Sequence, residues 1–379
     1  MDQLLQDLCE RLVDRGVLLH RVAVGVRALH PLLFARQTIW QRGCNCISTV
    51  DREFGVESSP VYLHSPVHRI RETGLPLRRR LVGPDAELDF PVLDELKAEG
   101  ATDYVIHPLP RGDERAGYIS LTTDAPGGFD PAALALIETL VPILALVVKL
   151  FSTKRMAADL LAVYLGEDAA RRVLSGEIRR GTGQLIRAVL WHCDLKDFTA
   201  LSDVTPAPVL IALLDSYFEA MARPIAAQGG EVLKFIGDGI LAIFRTDQGG
   251  EALAVAHALE ATIAALSSLD RLNQARVTEG RAPLVTKIAL HVGEMMYGNV
   301  GAADRLDFTV IGPAVNTVAR VQALCGDLAE PVLATRDFAR LAPTQMVSRG
   351  LHRLRGMVAP TELFALEKSA GAERLQVSS

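Results

Sequence analysis

The stretch VLKFIGDGILAIF, residues 232–244, has the composition of two β-strands but carries two opposite charges among its apolar residues. Gly237, Asp238 and Gly239 separate the two apolar runs, and glycines there supply the positive φ angles that a tight turn requires. The pattern therefore predicts a β-hairpin with Lys234 in its first strand and Asp238 in its turn. Because Asp-Gly turns are common, the hairpin alone leaves the role of both charges open.

A second aspartate, Asp194, lies at the end of the apolar, strand-like stretch LIRAVLWHCDL, residues 185–195. Two carboxylates at the ends of neighbouring strands can share divalent cations, because Mg²⁺ prefers oxygen ligands and is commonly held by one or two carboxylates plus substrate phosphates. Two such cations would contact both the attacking and the leaving oxygen of a phosphoryl displacement. Asp194 and Asp238 are therefore candidate metal ligands as a pair, although neither aspartate alone supports this prediction.

The segment DRLDFTVIGPAVNTVARV, residues 304–321, predicts a strand followed by a helix that starts at Gly312-Pro313, since proline suits the first helical position. Asn316 and Arg320 are four residues apart and would share one face of this helix. An exposed polar face explains the pair equally well, so the spacing alone leaves both interpretations open.

The pattern of the 379 residues divides the chain into four parts. Residues 1–151 end in an alternating strand, a tight turn and a long helix, an order that resembles the closing elements of a GAF-type sensor domain. Residues 152–182 are polar and helical and predict a connector. Residues 183–366 predict an α+β fold with helices packed on a mostly antiparallel sheet, and residues 367–379 predict a disordered tail.

Composition excludes some classes of partner. With 49% hydrophobic residues and a formal net charge of −5, the chain predicts a packed core and gives no electrostatic reason to expect nucleic-acid binding. Its most apolar segment, residues 133–151, is interrupted by Glu138, Pro142 and Lys149, so we expect a buried or interface helix and no membrane span. The charged N-terminus and the five scattered cysteines predict a cytoplasmic protein.

Four motifs, in this order, closely resemble the catalytic domain of class III nucleotidyl cyclases: DLKDFTALSD, GGEVLKFIGDGILAIF, HVGEMMYGNVG and RLDFTVIGPAVNTVAR. The resemblance covers about residues 185–366 and implies a ferredoxin-like cyclase domain. It also implies a homodimer with active sites between the two protomers, and two Mg²⁺ or Mn²⁺ ions per active site. In this family pattern, Asp194 and Asp238 match the two metal-binding aspartates of one protomer.

The resemblance assigns the other protomer the recognition of the nucleotide. Lys234 and Thr309 match the pair that reads the purine, Asn316 matches the residue that positions the ribose, and Arg320 matches the arginine that stabilises the transition state. A lysine offers only donors, which suits adenine N1, and a threonine hydroxyl can accept a hydrogen bond from the adenine amino group. Guanine presents the opposite pattern and would call for an acidic residue at position 234, so the expected substrate is ATP.

Other residues match the phosphate contacts of the family. The loop Lys196, Phe198 and Thr199 matches the segment whose backbone amides hold the triphosphate, as nests of amides do for anions. Arg355 matches a basic residue that reaches the terminal phosphates. Arg305 could also contact phosphate, or it could pair with Asp304 or Asp307, and the sequence leaves this choice open.

We therefore expect an adenylate cyclase that forms 3′,5′-cyclic AMP and pyrophosphate by metal-assisted attack of the ribose 3′-oxygen on the α-phosphate, regulated by an N-terminal sensor of an unknown ligand or partner. One alternative is a guanylate cyclase of the same fold, which Lys234 argues against. The other is a catalytically silent, nucleotide-binding dimerisation module. Asp197, which stands where the family has glycine, favours the silent module, whereas a complete set of predicted site residues argues against it: Asp194, Asp238, Lys234, Asn316 and Arg320.

Overall fold

A computed structural model describes residues 2–43, 46–109, 117–247, 249–342 and 344–367. The chain divides into two compact units, Met1–Val163 and Tyr164–Ser379. This division falls inside the segment that the sequence predicts as a connector. The predicted tail from residue 368 onward lies outside the described residues, and so does Cys44.

The first unit is built on an antiparallel sheet. Its strands are β1 (Arg21–Arg27), β2 (Leu33–Gln41), β3 (Cys46–Glu53), β4 (Leu77–Arg80), β5 (Asp103–Leu109) and β6 (Gly117–Thr123). They pair in the order β3-β2-β1-β6-β5-β4. The helices are α1 (Asp2–Asp14), α2 (Pro60–Leu63), α3 (Pro66–Thr73), α4 (Pro91–Ala98) and α5 (Pro131–Leu165), with a 3₁₀ turn at Val56–Ser58. The GAF-like identity of this unit stays a prediction.

Apolar residues cover both faces of the first sheet. Successive side chains of a strand point to opposite faces, so neighbouring residues of one strand can belong to different cores. Val105 of β5 belongs to the core that includes residues of α1 and α5, such as Leu5 and Ile137. Its neighbour Ile106 belongs to a second core, with Ile70 of α3 and residues of α4. This two-sided burial explains why β5 lacks the polar alternation of a surface strand.

The second unit contains a larger, mixed sheet. Its strands are β7 (Gly183–Leu195), β8 (Glu231–Ile236), β9 (Gly239–Arg245), β10 (Thr286–Gly301), β11 (Leu306–Ile311), β12 (Val332–Thr335), β13 (Met346–His352) and β14 (Thr361–Leu366). They pair in the order β13-β14-β12-β10-β7-β9-β8, with β11 paired to β10. The β10–β12 pair is parallel and the other named pairs are antiparallel, which confirms the predicted α+β class with a mostly antiparallel sheet.

Helices cover the two faces of this sheet. They are α6 (Glu167–Leu174), α7 (Phe198–Val204), α8 (Ala207–Ala227), α9 (Gly250–Thr278), α10 (Pro313–Asp327) and α11 (Arg336–Ala339). In β7, Trp191 packs in the core that contains α8 and α9, and its indole N–H donates to Thr262 Oγ1 at 2.9 Å. Leu190 points to the opposite core, which contains residues of α10. Asp194 lies on the same side of β7 as Leu190, because side chains an even number of residues apart in a strand point to the same face.

Helix α6 is held on the second unit by buried alanines and by polar contacts. Ala169 and Ala170 are buried, and Ala169 packs in the α10-side core. The Arg172 guanidinium lies 5.4 Å from the centre of the Tyr297 ring, and the Tyr297 hydroxyl donates to Glu231 Oε1 at 3.1 Å. Burial raises the pKa of Glu231, which marks this carboxyl as part of a desolvated network. Part of the predicted connector is therefore integral to the second unit.

Two helices in the described part of the chain, α5 and α9, are long and apolar enough to cross a membrane by length and composition. Core helices of soluble proteins pass the same test, and the most apolar windows of α5 and α9 are 22% and 44% buried. The predicted absence of a membrane span therefore stays a prediction.

Candidate active site

The predicted hairpin is confirmed, with β8 and β9 joined by a turn at Gly237 and Asp238. Gly237 has φ +61°, the left-handed conformation that glycine adopts without strain. The two strands differ in burial: β9 is almost wholly buried, whereas β8 is the edge strand and Phe235 is 52% exposed. The end of β8 next to the turn, at Phe235 and Ile236, is therefore exposed at the surface of the unit.

The structure brings the two predicted metal ligands together. The backbone N–H of Leu195 donates to Asp238 Oδ2 at 2.9 Å, which ties the hairpin turn to the residue next to Asp194. Burial raises the pKa of Asp238, and the negative charge of Asp194 acts in the same direction. The hydrogen bond from Leu195 and the positive charge of Lys287 oppose this rise. The site therefore concentrates negative charge in a partly desolvated place.

One carboxylate oxygen of this pair is placed to bind a divalent cation. Asp194 Oδ1 is buried and has no hydrogen-bond partner in the part of the chain that the structure describes. Lys287 Nζ lies 2.9 Å from this oxygen as an ion pair, but it is not aligned for a hydrogen bond. The Lys287 ammonium already compensates the charge of this oxygen, and a divalent cation could take the same place.

The small number of protein ligands at this place fits Mg²⁺ better than a structural zinc ion. Within the described residues, no group of three or more His, Cys, Asp or Glu side chains could hold a metal. A closed structural zinc site needs four protein ligands, whereas Mg²⁺ is commonly bound by one or two carboxylates together with substrate phosphates. Asp194 and Asp238 therefore fit an ion that arrives with a phosphate ligand.

The loop after Asp194 contains the predicted phosphate contacts. Lys196 and Thr199 are exposed, and Phe198 packs against the core. The backbone N–H of Lys196 donates to Val285 O at 2.8 Å, so this amide is already engaged and its exposed ammonium is the group left to meet phosphate. Asp197 has φ +56°, a left-handed conformation that glycine adopts freely and that aspartate tolerates better than most residues.

Lys234 is paired within its own chain. Its ammonium forms an ion pair with Asp307 Oδ2 on β11. Thr309 lies two residues further along the same strand and therefore on the same face as Asp307. The strand pairing thus brings the two predicted purine-reading residues to one place. The sequence left open an ion pair of Arg305 with Asp304 or Asp307, but the observed partner of Asp307 is Lys234. Arg305 is exposed in the loop before β11.

Helix α10 carries the remaining pair as predicted. Asn316 is exposed and Arg320 is half-buried, while Ala314, Val318 and Val321 are buried on the opposite side of the helix. The Arg320 guanidinium lies close to the turn at residues 355–356, since a Cβ built on Gly356 would lie 3.5 Å from Arg320 Nη2. The same turn carries Arg355, whose side chain is exposed.

Two residues of the site were not predicted from the sequence to pair with functional residues. Lys287 and Asp307 each pair with a predicted functional residue, but only the strand register places them there. The one local signal was a charge inside apolar, strand-like text: Lys287 in LVTKIALHV and Asp307 in RLDFTVIG.

Gly239 offers a test of how closely the hairpin must approach β7. A Cβ at this position would lie 2.7 Å from Cys193 O and 3.5 Å from Asp194 Cβ. We expect Gly239→Ala to push the turn away from Leu195 and to lower the free energy of unfolding by about 1–3 kcal/mol, measured by urea denaturation. Gly237→Asn is the matched control, because Gly237 faces open space and asparagine tolerates its φ. Equal stability of the two variants would contradict the close approach.

Comparison with known proteins agrees with this geometry. Residues 187–356 match the family model of the adenylate and guanylate cyclase catalytic domain. The chain is 27% identical over 182 residues to adenylate cyclase 1 of Rhizobium meliloti, covering 48% of this chain and 27% of the relative. It is 30% identical over 167 residues to the adenylate cyclase of Anabaena cylindrica, covering 43% of this chain and 32% of the relative.

The chain therefore spans less than a third of the length of each of these two relatives. A solved structure of a bacterial light-regulated adenylyl cyclase, 17% identical, covers 91% of this chain and 93% of its own chain with a TM-score of 0.51, which shows a likeness of fold. The match to the family rests on the segment that contains Asp194, Asp238 and Arg320. Residues 187–356 are thus a class III nucleotidyl cyclase catalytic domain.

Proposed function

We propose that this protein is an adenylate cyclase that converts ATP to 3′,5′-cyclic AMP and pyrophosphate. The observation that carries the proposal is the hydrogen bond from Leu195 N–H to Asp238, which holds two carboxylates together at the end of β7 in a cyclase catalytic domain. The names of the relatives from Rhizobium meliloti and Anabaena cylindrica support the choice of an adenylate cyclase.

Asp194 and Asp238 would hold Mg²⁺ or Mn²⁺, two ions per active site. When bound, such ions neutralise phosphate charge and lower the pKa of the ribose 3′-hydroxyl. The protein's own contribution is to orient the carboxylates. The Leu195 N–H holds Asp238 in place and opposes the rise that burial causes in the pKa of Asp238. The buried Asp194 Oδ1 supports this role, since the described part of the chain offers it no hydrogen bond.

The chemical step would be an attack of the ribose 3′-oxygen on the α-phosphorus, with the 3′-hydroxyl proton released to solvent. The new P–O bond forms as the bond to the β-phosphate oxygen breaks, and pyrophosphate takes the electron pair of the broken bond. Arg320 would place a fixed guanidinium where negative charge builds, and its planar fork suits phosphate oxygens. Asn316, one helical turn before Arg320 on α10, would hold the ribose so that its 3′-oxygen faces the phosphorus.

Lys234 and Thr309 would read adenine. The ammonium of Lys234 donates to N1, and the Thr309 hydroxyl accepts from the exocyclic amino group. Asp307 supports this assignment, because its ion pair holds the Lys234 ammonium at the face of β11 that carries Thr309. The guanylate cyclase alternative is disfavoured by Lys234 itself, since a lysine stands at the position where guanine would need an acidic residue.

Apolar exposure supports a homodimer. Side chains on the outer strand and on the neighbouring helix of the cyclase unit are largely exposed: Phe235, Ile236, Val209 and Ile211. A further exposed group lies on β10 and β11: Met296, Val300, Leu306 and Ile311. Soluble monomers rarely leave such sets uncovered, whereas an interface between two copies would bury them. In such a dimer, one protomer supplies the metal ligands and the other supplies Lys234, Thr309, Asn316 and Arg320.

The first unit would act as a regulatory sensor of an unidentified ligand or partner, in a cytoplasmic protein. Two features support a route for its signal. Helix α5 begins in the first unit and ends at Leu165, and α6 follows at Glu167 and is held on the cyclase sheet through Tyr297 and its neighbours. A change in α5 would therefore reach a helix that contacts β10.

Product identification tests the proposed reaction. Purified full-length protein is incubated with Mn²⁺ or Mg²⁺ and with ATP or GTP, and the cyclic product is identified by mass. We expect cyclic AMP, and we expect Asp194→Asn and Asp238→Asn each to lower turnover by about 10²-fold or more, because each removes a metal ligand. Preferential formation of cyclic GMP would favour the guanylate cyclase, and nucleotide binding without any product would favour the silent module.

Arg320 tests the charge-stabilising role separately from metal binding. We expect Arg320→Ala to lower kcat by about 10²-fold or more while KM for ATP changes little, since the interaction is made mainly in the transition state. Arg281→Ala, at an exposed arginine after α9, is the matched control and should keep the wild-type rate. Near-normal turnover of Arg320→Ala would overturn the assignment.

Truncation tests regulation by the first unit. A chain that begins at Tyr164 retains α6 and the whole cyclase unit, so it should fold, and we expect its turnover to differ by about fivefold or more from that of the full chain. A chain that begins at Gly183 loses α6 and serves as a control for the contribution of that helix to stability. Equal turnover of the Tyr164 chain and the full chain would remove the regulatory role.

A further inference from the structure

We propose that Lys287 is a built-in counter-ion of the Asp194–Asp238 pair. In the nucleotide-free protein it weakens divalent-cation binding, so that the ions load together with the triphosphate of the nucleotide. This inference rests on the proposed role of Asp194 and Asp238 as metal ligands. It goes beyond that role because it assigns Lys287 a function in setting metal affinity and in the order in which metal and nucleotide bind.

The strand register fixes Lys287 opposite Asp194. The two residues are direct partners in the antiparallel pairing of β10 with β7, at one end of these two interior strands. Side chains of directly opposed residues lie on the same face and interact across the strands. Next to Lys287, the Thr286 hydroxyl donates to Asp194 O at 3.2 Å and is also bonded to the Tyr217 hydroxyl at 2.8 Å. The lysine therefore starts from a rigid backbone, not from a mobile loop.

The ammonium lies where a cation would bind. Lys287 Nζ is 2.9 Å from Asp194 Oδ1, the buried oxygen that lacks a hydrogen bond among the described residues. The two side chains are only 21% and 28% exposed, so water screens this pair incompletely. A divalent cation bound to the same oxygen would meet the ammonium a few ångströms away, and at that distance the repulsion stays large even with the screening typical of proteins.

Charge balance gives the order of loading. The formal charges of Asp194, Asp238 and Lys287 add up to one net negative charge. The loop that follows Asp194 adds one formal charge of each sign, at the exposed Lys196 and Asp197. A lone dication is thus attracted by one net negative charge, whereas the triphosphate adds several more. The flexible four-carbon stem of a lysine would let Nζ leave Asp194 and pair with a phosphate oxygen when the nucleotide arrives.

A direct Mn²⁺ titration of the full chain without nucleotide tests this inference, with free Mn²⁺ followed by its electron paramagnetic resonance signal. Lys287→Met removes the charge and keeps most of the side-chain volume, and we expect it to tighten Mn²⁺ binding by about tenfold or more. Lys287→Arg keeps the charge and should bind as weakly as the wild type. Lys97→Met, at an exposed lysine of α4, is the control for loss of a charge elsewhere and should change nothing.

Adding a non-hydrolysable ATP analogue tests the coupling. We expect the analogue to tighten Mn²⁺ binding in the wild type far more than in Lys287→Met, because the variant has no ammonium to displace. Thermal unfolding of each variant checks that it is folded, and Lys287→Gln replaces Lys287→Met if the methionine variant fails to fold. A purely structural ion pair would lower the melting temperature in the variant without altering Mn²⁺ affinity.

The outcomes separate this inference from the proposed reaction. A gain in Mn²⁺ affinity that disappears in the double variant Lys287→Met/Asp238→Asn supports the inference, whereas a gain that persists there places the ion elsewhere and overturns it. Unchanged Mn²⁺ affinity of Lys287→Met also overturns it, even if the wild type makes cyclic AMP. An Asp238-dependent gain in a protein that makes no cyclic nucleotide would keep the inference and remove the catalytic proposal.

Discussion

The hydrogen bond from Leu195 N–H to Asp238 Oδ2 is the contact on which the rest of the site depends. It fixes a hairpin turn against the end of a central strand, and it can form only because Gly239 lets the chain pass within van der Waals distance of β7. The strand register on either side then follows, with Cys193 opposite Ile240. A turn that on its own would be an ordinary surface feature becomes half of a two-carboxylate site, since the partner strand ends at the same place.

The two charged pairs of the site share one physical design. Lys287 faces Asp194 across β10 and β7, and Lys234 meets Asp307 between β8 and β11. In each pair a group with a proposed role toward the nucleotide complex is held by an opposite charge from its own chain. Such pairing offsets the cost of leaving a partly buried charge alone. In the proposed complex, a metal ion at Asp194 would replace the contact with Lys287. Lys234 could keep Asp307 and still meet the base, because an ammonium has three donors.

Local patterns predicted the parts of this site that depend on neighbouring residues in the chain. The glycines around Asp238 predicted the turn, and the proline at position 313 with the spacing of Asn316 and Arg320 predicted a helix with one polar face. The pairs made by Lys287 and Asp307 could not be predicted this way, because they depend on which strands pair and in which register. The continuity of α5 across position 152 was not predicted, for a different reason. Its apolar text gives way to polar residues near position 152, but those residues are good helix formers and the helix continues to Leu165.

Asp197 was the one sequence feature that favoured a silent module, and its conformation gives it a simpler explanation. The residue has φ +56°, and its carbonyl oxygen accepts a hydrogen bond from Leu201 N–H at 3.1 Å as α7 begins. A glycine in this loop would supply the left-handed conformation at no steric cost, and aspartate is among the few other residues that adopt it readily. The substitution therefore preserves the backbone path between Asp194 and Thr199. Since its side chain is exposed, solvent screens the added negative charge, which does not by itself argue against turnover.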